Sequence, residues 1–124
     1  MQLASIRLVT NDLHRLVSFY TLLTGTPGTF LAPEFAEIRL SGAIVAISSA
    51  RLIEQFNAGA AIAAANRSAI LEFRVDDVDA VRNRFGDAPL DYVMPPTHMP
   101  WGNRSLLLRD PDGNLVNVFS KPAG

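Results

Sequence analysis

Residues 70–78 read ILEFRVDDV, and this stretch decides the fold. From Leu71 onwards apolar and charged side chains alternate, which is the period of a β-strand with two different faces. Asp76 and Asp77 then supply the short acidic side chains that cap a helix, and Gly86 supplies a stop. The stretch therefore predicts a strand that leads directly into a helix. The apolar face of that helix consists of Val78, Val81 and Phe85.

The same order of signals occurs 65 residues earlier in the chain. Residues 4–10 form a β-branched and aliphatic run with polar side chains at alternate positions. Asn11 and Asp12 provide caps, and Gly25 and Pro27 end the amphipathic helix that follows. The chain therefore contains two copies of one strand–helix unit, which indicates duplication. The apolar stripe of the first helix consists of Leu13, Leu16, Val17, Tyr20 and Leu23.

Strand signals follow each predicted helix. A hairpin turn is predicted at Ser41 and Gly42, and a tight turn at 110–114, in which Asp110 and Asp112 act as turn formers. Each half therefore reads as β-α-β-β with one further strand, and the fold class is α+β. The predicted strands are 35–40 and 43–48 in the first half, and 92–93, 105–108 and 115–120 in the second.

Residues 51–68 separate the two halves and are predicted to form a loop. Propensity alone favours a helix over 58–65, but Gly59 and the lack of a polar face argue against it. We therefore predict a single domain with module 1 at about 1–50, a linker at 51–68 and module 2 at about 69–121.

The composition excludes several classes of protein. With 124 residues, of which 48% are hydrophobic and 19% charged, the chain is typical of one globular domain. A net charge of -1 lacks the basic footprint that nucleic acids require, and no apolar run is long enough to span a bilayer. Without cysteine there is no disulfide and no thiolate metal site. We expect a cytoplasmic protein with no nucleic-acid or membrane partner.

Three features together resemble the vicinal oxygen chelate superfamily of glyoxalases, bleomycin resistance proteins and extradiol dioxygenases. They are the duplicated strand–helix unit, the pair Trp101-Gly102 and the turn DPDGN at 110–114. The resemblance extends from Ser5 to Phe119. It implies two βαβββ modules that form a curved cup-shaped mixed sheet with helices on the outer face. It also implies a homodimer whose cups are completed by the partner chain.

The resemblance also indicates where a metal ion would bind. Metal-using members of the superfamily place ligands at four positions of the cup. In this chain those positions hold a hydroxyl, two alkyl side chains and a neutral amide. Together these groups offer too little charge and too few lone pairs for a divalent ion. We therefore expect no metal ion and no other cofactor. The four positions are Ser5, Ala46, Ile70 and Asn117.

Strand alternation predicts a polar floor for the implied cup. Ser5 and Arg7 share one face of the first strand, which leaves Ile6 and Leu8 under the helix. The repeat places Glu72 at the position equivalent to Arg7, where the two side chains would form an ion pair. The alternative is that this pair only satisfies two charges at a seam between modules or chains.

A proline-rich stretch at 95–100 is predicted to be irregular and to form a pocket wall. Trp101 beside it suits stacking on a flat ligand, or else anchors the loop to the sheet. His98 is either a general base or a surface polar residue. Arg104 is predicted to aim a cation at the ligand or at the DPDG turn.

These arguments define the candidate site residues. Glu72 and His98 are the candidates for catalytic roles. The expected ligand-binding residues are Ser5, Arg7, Ile70, Glu72, Tyr92, His98, Trp101, Arg104 and Asn117.

Three functions are compatible with this set. The leading prediction is a metal-independent, homodimeric small-molecule binding protein of the glyoxalase and bleomycin-resistance type, which sequesters an aromatic or cationic compound such as an antibiotic. The alternative is a lyase, isomerase or dioxygenase of the same superfamily that acts on a small oxygenated substrate. Such an enzyme would use metal ligands elsewhere, or Glu72 and His98 as acid and base on an enolisable substrate. The third is an accessory module with a vestigial cup.

Overall fold

The computed structural model describes residues 1–122. The chain divides into two compact units, Met1–Ala65 and Asn66–Gly124, and each unit is described by itself. The boundary falls within the stretch 51–68 that the sequence assigns to a linker.

Unit 1 is a four-stranded mixed sheet with one long helix and one short helix. The strand order is β1-β4-β3-β2, in which β1 and β4 are parallel and the other neighbours are antiparallel. The elements are β1 (Ile6–Thr10), α1 (Leu13–Thr24), β2 (Thr29–Ala32), β3 (Phe35–Leu40), β4 (Ala43–Ser49) and α2 (Ala50–Asn57).

The signals read from the sequence explain the first helix. The side chain of Asp12 accepts a hydrogen bond from the backbone N–H of Arg15, which satisfies one of the free donors at the start of α1. At the other end Gly25 adopts a left-handed conformation with φ 72° and stops the helix. Leu16 and Tyr20 are fully buried, so the predicted apolar stripe faces the core.

The predicted loop over 51–68 is wrong for its first part, because α2 occupies Ala50–Asn57. Two features stabilise this short helix. The side chain of Ser49 accepts from the backbone N–H of Leu52, and Ile53 is buried where α2 packs on β1 and β4. Residues 58–65 are not helical, as the sequence predicted.

Unit 2 repeats the arrangement of unit 1. The strand order is β5-β8-β7-β6, in which β5 and β8 are parallel and the other neighbours are antiparallel. The helix α3 begins after Asp77, whose side chain accepts from the backbone N–H of Ala80. Its elements are β5 (Ile70–Arg74), α3 (Val78–Phe85), β6 (Asp91–His98), β7 (Arg104–Arg109) and β8 (Leu115–Ser120).

Each unit thus has one strand, one helix and three further strands in that order, and in unit 1 the short helix α2 follows them. This order confirms the predicted α+β class and its βαβββ modules. The turn at 110–114 also forms as predicted: Asp110 Oδ1 accepts hydrogen bonds from the backbone N–H groups of Asp112 and Asn114. Within residues 1–122, no helix is long and apolar enough to cross a membrane.

The prediction of an irregular stretch at 95–100 is wrong for its first four residues, because β6 continues to His98. Pro95 and Pro96 lie inside this strand. They are tolerated because β6 is an edge strand and because its pairing with β7 is irregular between Met94 and Thr97, so that neither proline has a register partner. The pairing of β6 with β7 shifts twice, between Tyr92 and Met94 and between Met94 and Thr97.

Candidate functional site

One face of the sheet in unit 2 packs against α3. Leu106 and Leu108 of β7 and Val116 and Val118 of β8 are buried, and both strands contact α3. The residues between them point to the opposite face because side chains alternate along a strand. We call the face turned away from α3 the open face of unit 2. Its central residues, aligned by the register of three strands, are Glu72, Asn117 and Leu107.

Glu72 and Asn117 form a hydrogen-bonded pair at the centre of the open face. Asn117 Nδ2 donates to Glu72 Oε2 over 2.8 Å. The amide oxygen Oδ1 of Asn117 is buried and has no hydrogen-bond partner, and Glu72 makes no ion pair with the described residues of unit 2. Carboxylate and amide oxygens accept hydrogen bonds and do not donate them. The pair is therefore suited to a ligand that donates hydrogen bonds, above all a cation.

Apolar side chains border this polar pair on the same face. Ile70 precedes Glu72 by two positions, and Phe119 follows Asn117 by two. Met94 of β6 is the register partner of Leu107. Met94, Leu107 and Phe119 are not among the residues predicted for the site, although side-chain alternation in β7 and β8 indicates the last two.

Tyr92 lies on the face that packs against α3. It is the register partner of the buried Leu108, and the guanidinium of Arg82, on α3, is 4.4 Å from the centroid of its ring. The structure therefore contradicts the predicted grouping of Tyr92 with Glu72 on one surface. The physical reason is the pleat of β6, which turns this position towards the helix.

Arg104 is also on the helix face, where it is bound to Asp79 of α3. The Arg104 guanidinium donates from Nε to Asp79 Oδ2 over 2.7 Å and from Nη2 to Oδ1 over 2.9 Å. This bidentate contact lowers the pKa of the Asp79 carboxyl, and the charge of His98 adds to the effect. The prediction that Arg104 points at a ligand or at the DPDG turn is wrong, because its donors are directed at Asp79.

His98 and Glu72 are on opposite faces of the same sheet. His98 is the register partner of Arg104, whereas Glu72 is aligned with Leu107, three positions further along β7. Two residues that are an odd number of positions apart on a strand point to opposite faces of the sheet. The two side chains therefore do not meet on one substrate, and their predicted pairing as acid and base within unit 2 is wrong.

Trp101 lies in the turn that joins β6 to β7. Backbone hydrogen bonds from Met99 N to Asn103 O and from Gly102 N to Met99 O define this turn. The indole side of the turn is open, since Trp101 is 67% exposed. Its role, as a ring that stacks on a ligand or as an anchor of the loop, stays a prediction.

Unit 1 also has a face turned away from its long helix. Arg7, Ala46 and Glu37 are aligned on that face by the register of β1, β4 and β3. The Arg7 guanidinium is 5.8 Å from the centroid of the Phe35 ring, and Ser5 precedes β1 and is half-buried. Arg7 and Glu72 belong to different units, so their ion pair stays a prediction.

The residues at the four family metal positions do not fit a divalent ion. Ala46 and Ile70 have no donor atoms, and the Asn117 amide group already donates to Glu72. In the described part of the chain, residues 1–122, no group of three His, Cys, Asp or Glu side chains could hold a metal ion. A Lewis-acid role at these four positions therefore has no support from the donor set.

Comparison with known proteins identifies the family. The model of the Glyoxalase/Bleomycin resistance protein/Dioxygenase superfamily matches residues 2–118. The chain therefore belongs to this superfamily, the group that its sequence resembles. No curated protein matches the chain.

Several solved structures share the fold of this chain. A glyoxalase/bleomycin resistance protein/dioxygenase from Nocardioides has 25% identity and a TM-score of 0.79, with 100% of this chain and 85% of that chain covered. A glyoxalase-related enzyme from Fulvimarina pelagi has 24% identity and a TM-score of 0.81, with 100% and 93% covered. A protein of unknown function from Agrobacterium tumefaciens has 24% identity and a TM-score of 0.81, with 98% and 94% covered.

We predict that the Arg104–Asp79 contact makes stability depend on pH. Because Arg104 lowers the pKa of Asp79 in the folded protein, the contact stabilises the fold above the ordinary aspartate pKa of about 3.9. That stabilisation is lost as the pH falls through the lowered pKa. Arg104→Gln should therefore lower the melting temperature slightly near neutral pH, and the difference from wild type should vanish in acid.

Arg74→Gln serves as the control, since Arg74 lies on β5 and is exposed on the open face. The measurement is the melting temperature of wild type, Arg104→Gln and Arg74→Gln from neutral to acidic pH. A difference between wild type and Arg104→Gln that is unchanged in acid would contradict the assignment.

Proposed function

We propose that the chain is a small-molecule binding protein that works without the metal site of its superfamily. The observation that carries the proposal is the Glu72–Asn117 pair on the open face of unit 2, which presents acceptor atoms where metal-using relatives have a ligand. Its ligand is an aromatic or cationic compound, and sequestration of an antibiotic is one such role. Sequestration requires binding alone and no reacting group.

The chemistry of the open face supports an organic cation as the ligand. The exposed carboxylate of Glu72 attracts a protonated amine or guanidinium, and its oxygens can accept hydrogen bonds beyond the one that Asn117 donates. Phe119, Leu107 and Met94 offer apolar surface beside these acceptors. Apolar side chains around a few polar groups are typical of small-molecule sites.

The second candidate is an enzyme of the superfamily that acts on a small oxygenated substrate. The observation that favours it is the exposed carboxylate of Glu72, a possible proton acceptor. A third candidate is an accessory module without a ligand. Turnover of an enolisable substrate would distinguish the enzyme, and the absence of any binding would indicate the accessory module.

We predict that removing the charge of Glu72 weakens ligand binding. Hits are first selected by thermal shift from a set of aromatic amines and amidines, and affinity is then measured by calorimetry with and without a chelator. Glu72→Gln should lose about ten-fold or more in affinity, because a hydrogen bond to a charged group contributes about 1.5–3 kcal/mol. The chelator should change nothing.

Glu54→Gln is the matched control, since Glu54 is an exposed carboxylate on α2 in the other unit. Elemental analysis of the purified protein accompanies the titrations. A stoichiometric metal ion bound through any two of Ser5, Ala46, Ile70 and Asn117, or loss of binding on chelation, would favour the enzyme instead.

A second prediction concerns Trp101 as an aromatic wall of the same ligand site. Its 67% exposure leaves the ring free to stack on a planar compound. Trp101→Ala should reduce binding by about 1–3 kcal/mol and change the melting temperature little. Unchanged affinity together with a large fall in melting temperature would show that the indole anchors the fold instead.

We further propose that the protein is a cytoplasmic homodimer. Large apolar side chains are exposed at the first positions of two edge strands, with Ile6 of β1 at 49% and Ile70 of β5 at 51%. Covering such surface by a second chain would be favourable. Sedimentation at micromolar concentration should give a dimer mass, and a monomer at that concentration would refute the proposal.

A further inference from the structure

Asn66, the first residue of unit 2, binds both the connecting segment and a distant turn. Its Oδ1 accepts from the backbone N–H groups of Ser68 at 3.3 Å and Ala69 at 3.0 Å. Its Nδ2 donates to Ala69 O at 3.0 Å and to Asn114 Oδ1 at 3.1 Å. The first three bonds are local, whereas the fourth spans 48 residues of sequence.

The hydrogen-bond chain continues into the interior of the turn. Asn114, only 5% exposed, donates from Nδ2 to Asp110 Oδ2 over 2.7 Å. Asp110, 3% exposed, accepts at Oδ1 from the backbone N–H groups of Asp112 and Asn114. We call the series Asn66, Asn114 and Asp110 the asparagine link. The bond between the buried side chains of Asn114 and Asp110 favours one arrangement of the turn, because a buried polar group that loses its hydrogen bond is costly.

The asparagine link lies where the register between β5 and β8 is set. Asn114 directly precedes Leu115, whose register partner is Ile70, four residues after Asn66. Two residues further along both strands, the same register aligns Glu72 with Asn117. A slip of one residue would turn Glu72 to the helix face and separate it from Asn117.

The apolar pattern alone fixes this register weakly. In unit 2, β5 is a five-residue edge strand that pairs only with β8. Its helix-facing side chains, Leu71 and Phe73, are only half-buried, and Ile70 is exposed. A short strand with little buried surface needs another determinant of position.

We propose that Asn66 is a positioning residue of the open-face site: through Asn114 it fixes β5 against β8 and thereby holds Glu72 Oε2 on the Asn117 amide. The ligand role of that site rests on the proposed function, but the positioning itself does not. It is a property of the unliganded protein and is measurable there.

Two variants remove the link while keeping the acceptor of the local turn. Asn66→Asp retains an acceptor for Ser68 and Ala69 but removes the Nδ2 donor to Asn114 and to Ala69 O. Asn66→Ser is the neutral counterpart, since a serine hydroxyl also supports such turns but is too short to reach Asn114. Asn57→Asp, at the exposed end of α2, controls for the added charge.

The readout is the side-chain amide of Asn117 in nuclear magnetic resonance spectra of the folded, unliganded chain. In both Asn66 variants its signals should move towards those of solvent-exposed asparagines. Its protons should exchange with water about two- to ten-fold faster, the factor that the net strength of one hydrogen bond implies. Asn57→Asp should match the wild type.

Affinity for a compound selected by the thermal-shift screen should fall in parallel, by about two- to ten-fold in both variants. If the wild type binds no compound, the proposed function fails while the amide signals still test the positioning. Wild-type amide signals in both variants would overturn the proposal. Failure of Asn66→Ser to fold would also overturn it, because the role of Asn66 would then be structural.

Discussion

The pleat of β8 is the constraint on which the rest of unit 2 depends. Val116 and Val118 are almost completely buried beneath α3, so Asn117 between them must point to the other face. Both neighbouring strands pair with β8 in unbroken register, which carries the same division to Glu72 and Leu107. The hydrophobic contacts that hold the helix on the sheet therefore also determine which side chains reach the open face.

The order of strands and helices was predictable because both halves of the chain carry the same local signals in the same order. Asp12 and Asp77 each cap a helix that follows a strand, and the cap geometry in the structure is the one the sequence indicated. The prediction of a loop missed α2 although local signals mark it: Ser49 caps its start, and Leu52, Ile53 and Phe56 have the spacing of one helix face. Burial of Ile53 against β1 and β4 adds a tertiary contact that the sequence does not show.

The site was harder to predict, for a reason visible in β6. The alternation of side chains predicted for β5 agrees with the structure, in which Glu72 lies on the open face. In β6, the first register shift places Met94 on the open face, and the second returns His98 to the helix face that Tyr92 occupies. Each extra residue reverses the faces that simple alternation assigns. The partner of Arg104 was equally hidden, since Asp79 lies 25 residues away on α3.

The fold of the superfamily accounts for the packing of the helix face. The side chains of the open face have to be explained from this chain alone. The buried leucines and valines and the Asp79–Arg104 contact define the scaffold, and they are separated from Glu72 and Asn117 by the thickness of one sheet. A fold of this kind tolerates changes in its open-face chemistry because those side chains contribute little to its core. The carboxylate of Glu72, hydrogen-bonded to the neutral amide of Asn117, is one such feature of the open face: a metal ion needs several converging donors, and this pair does not supply them.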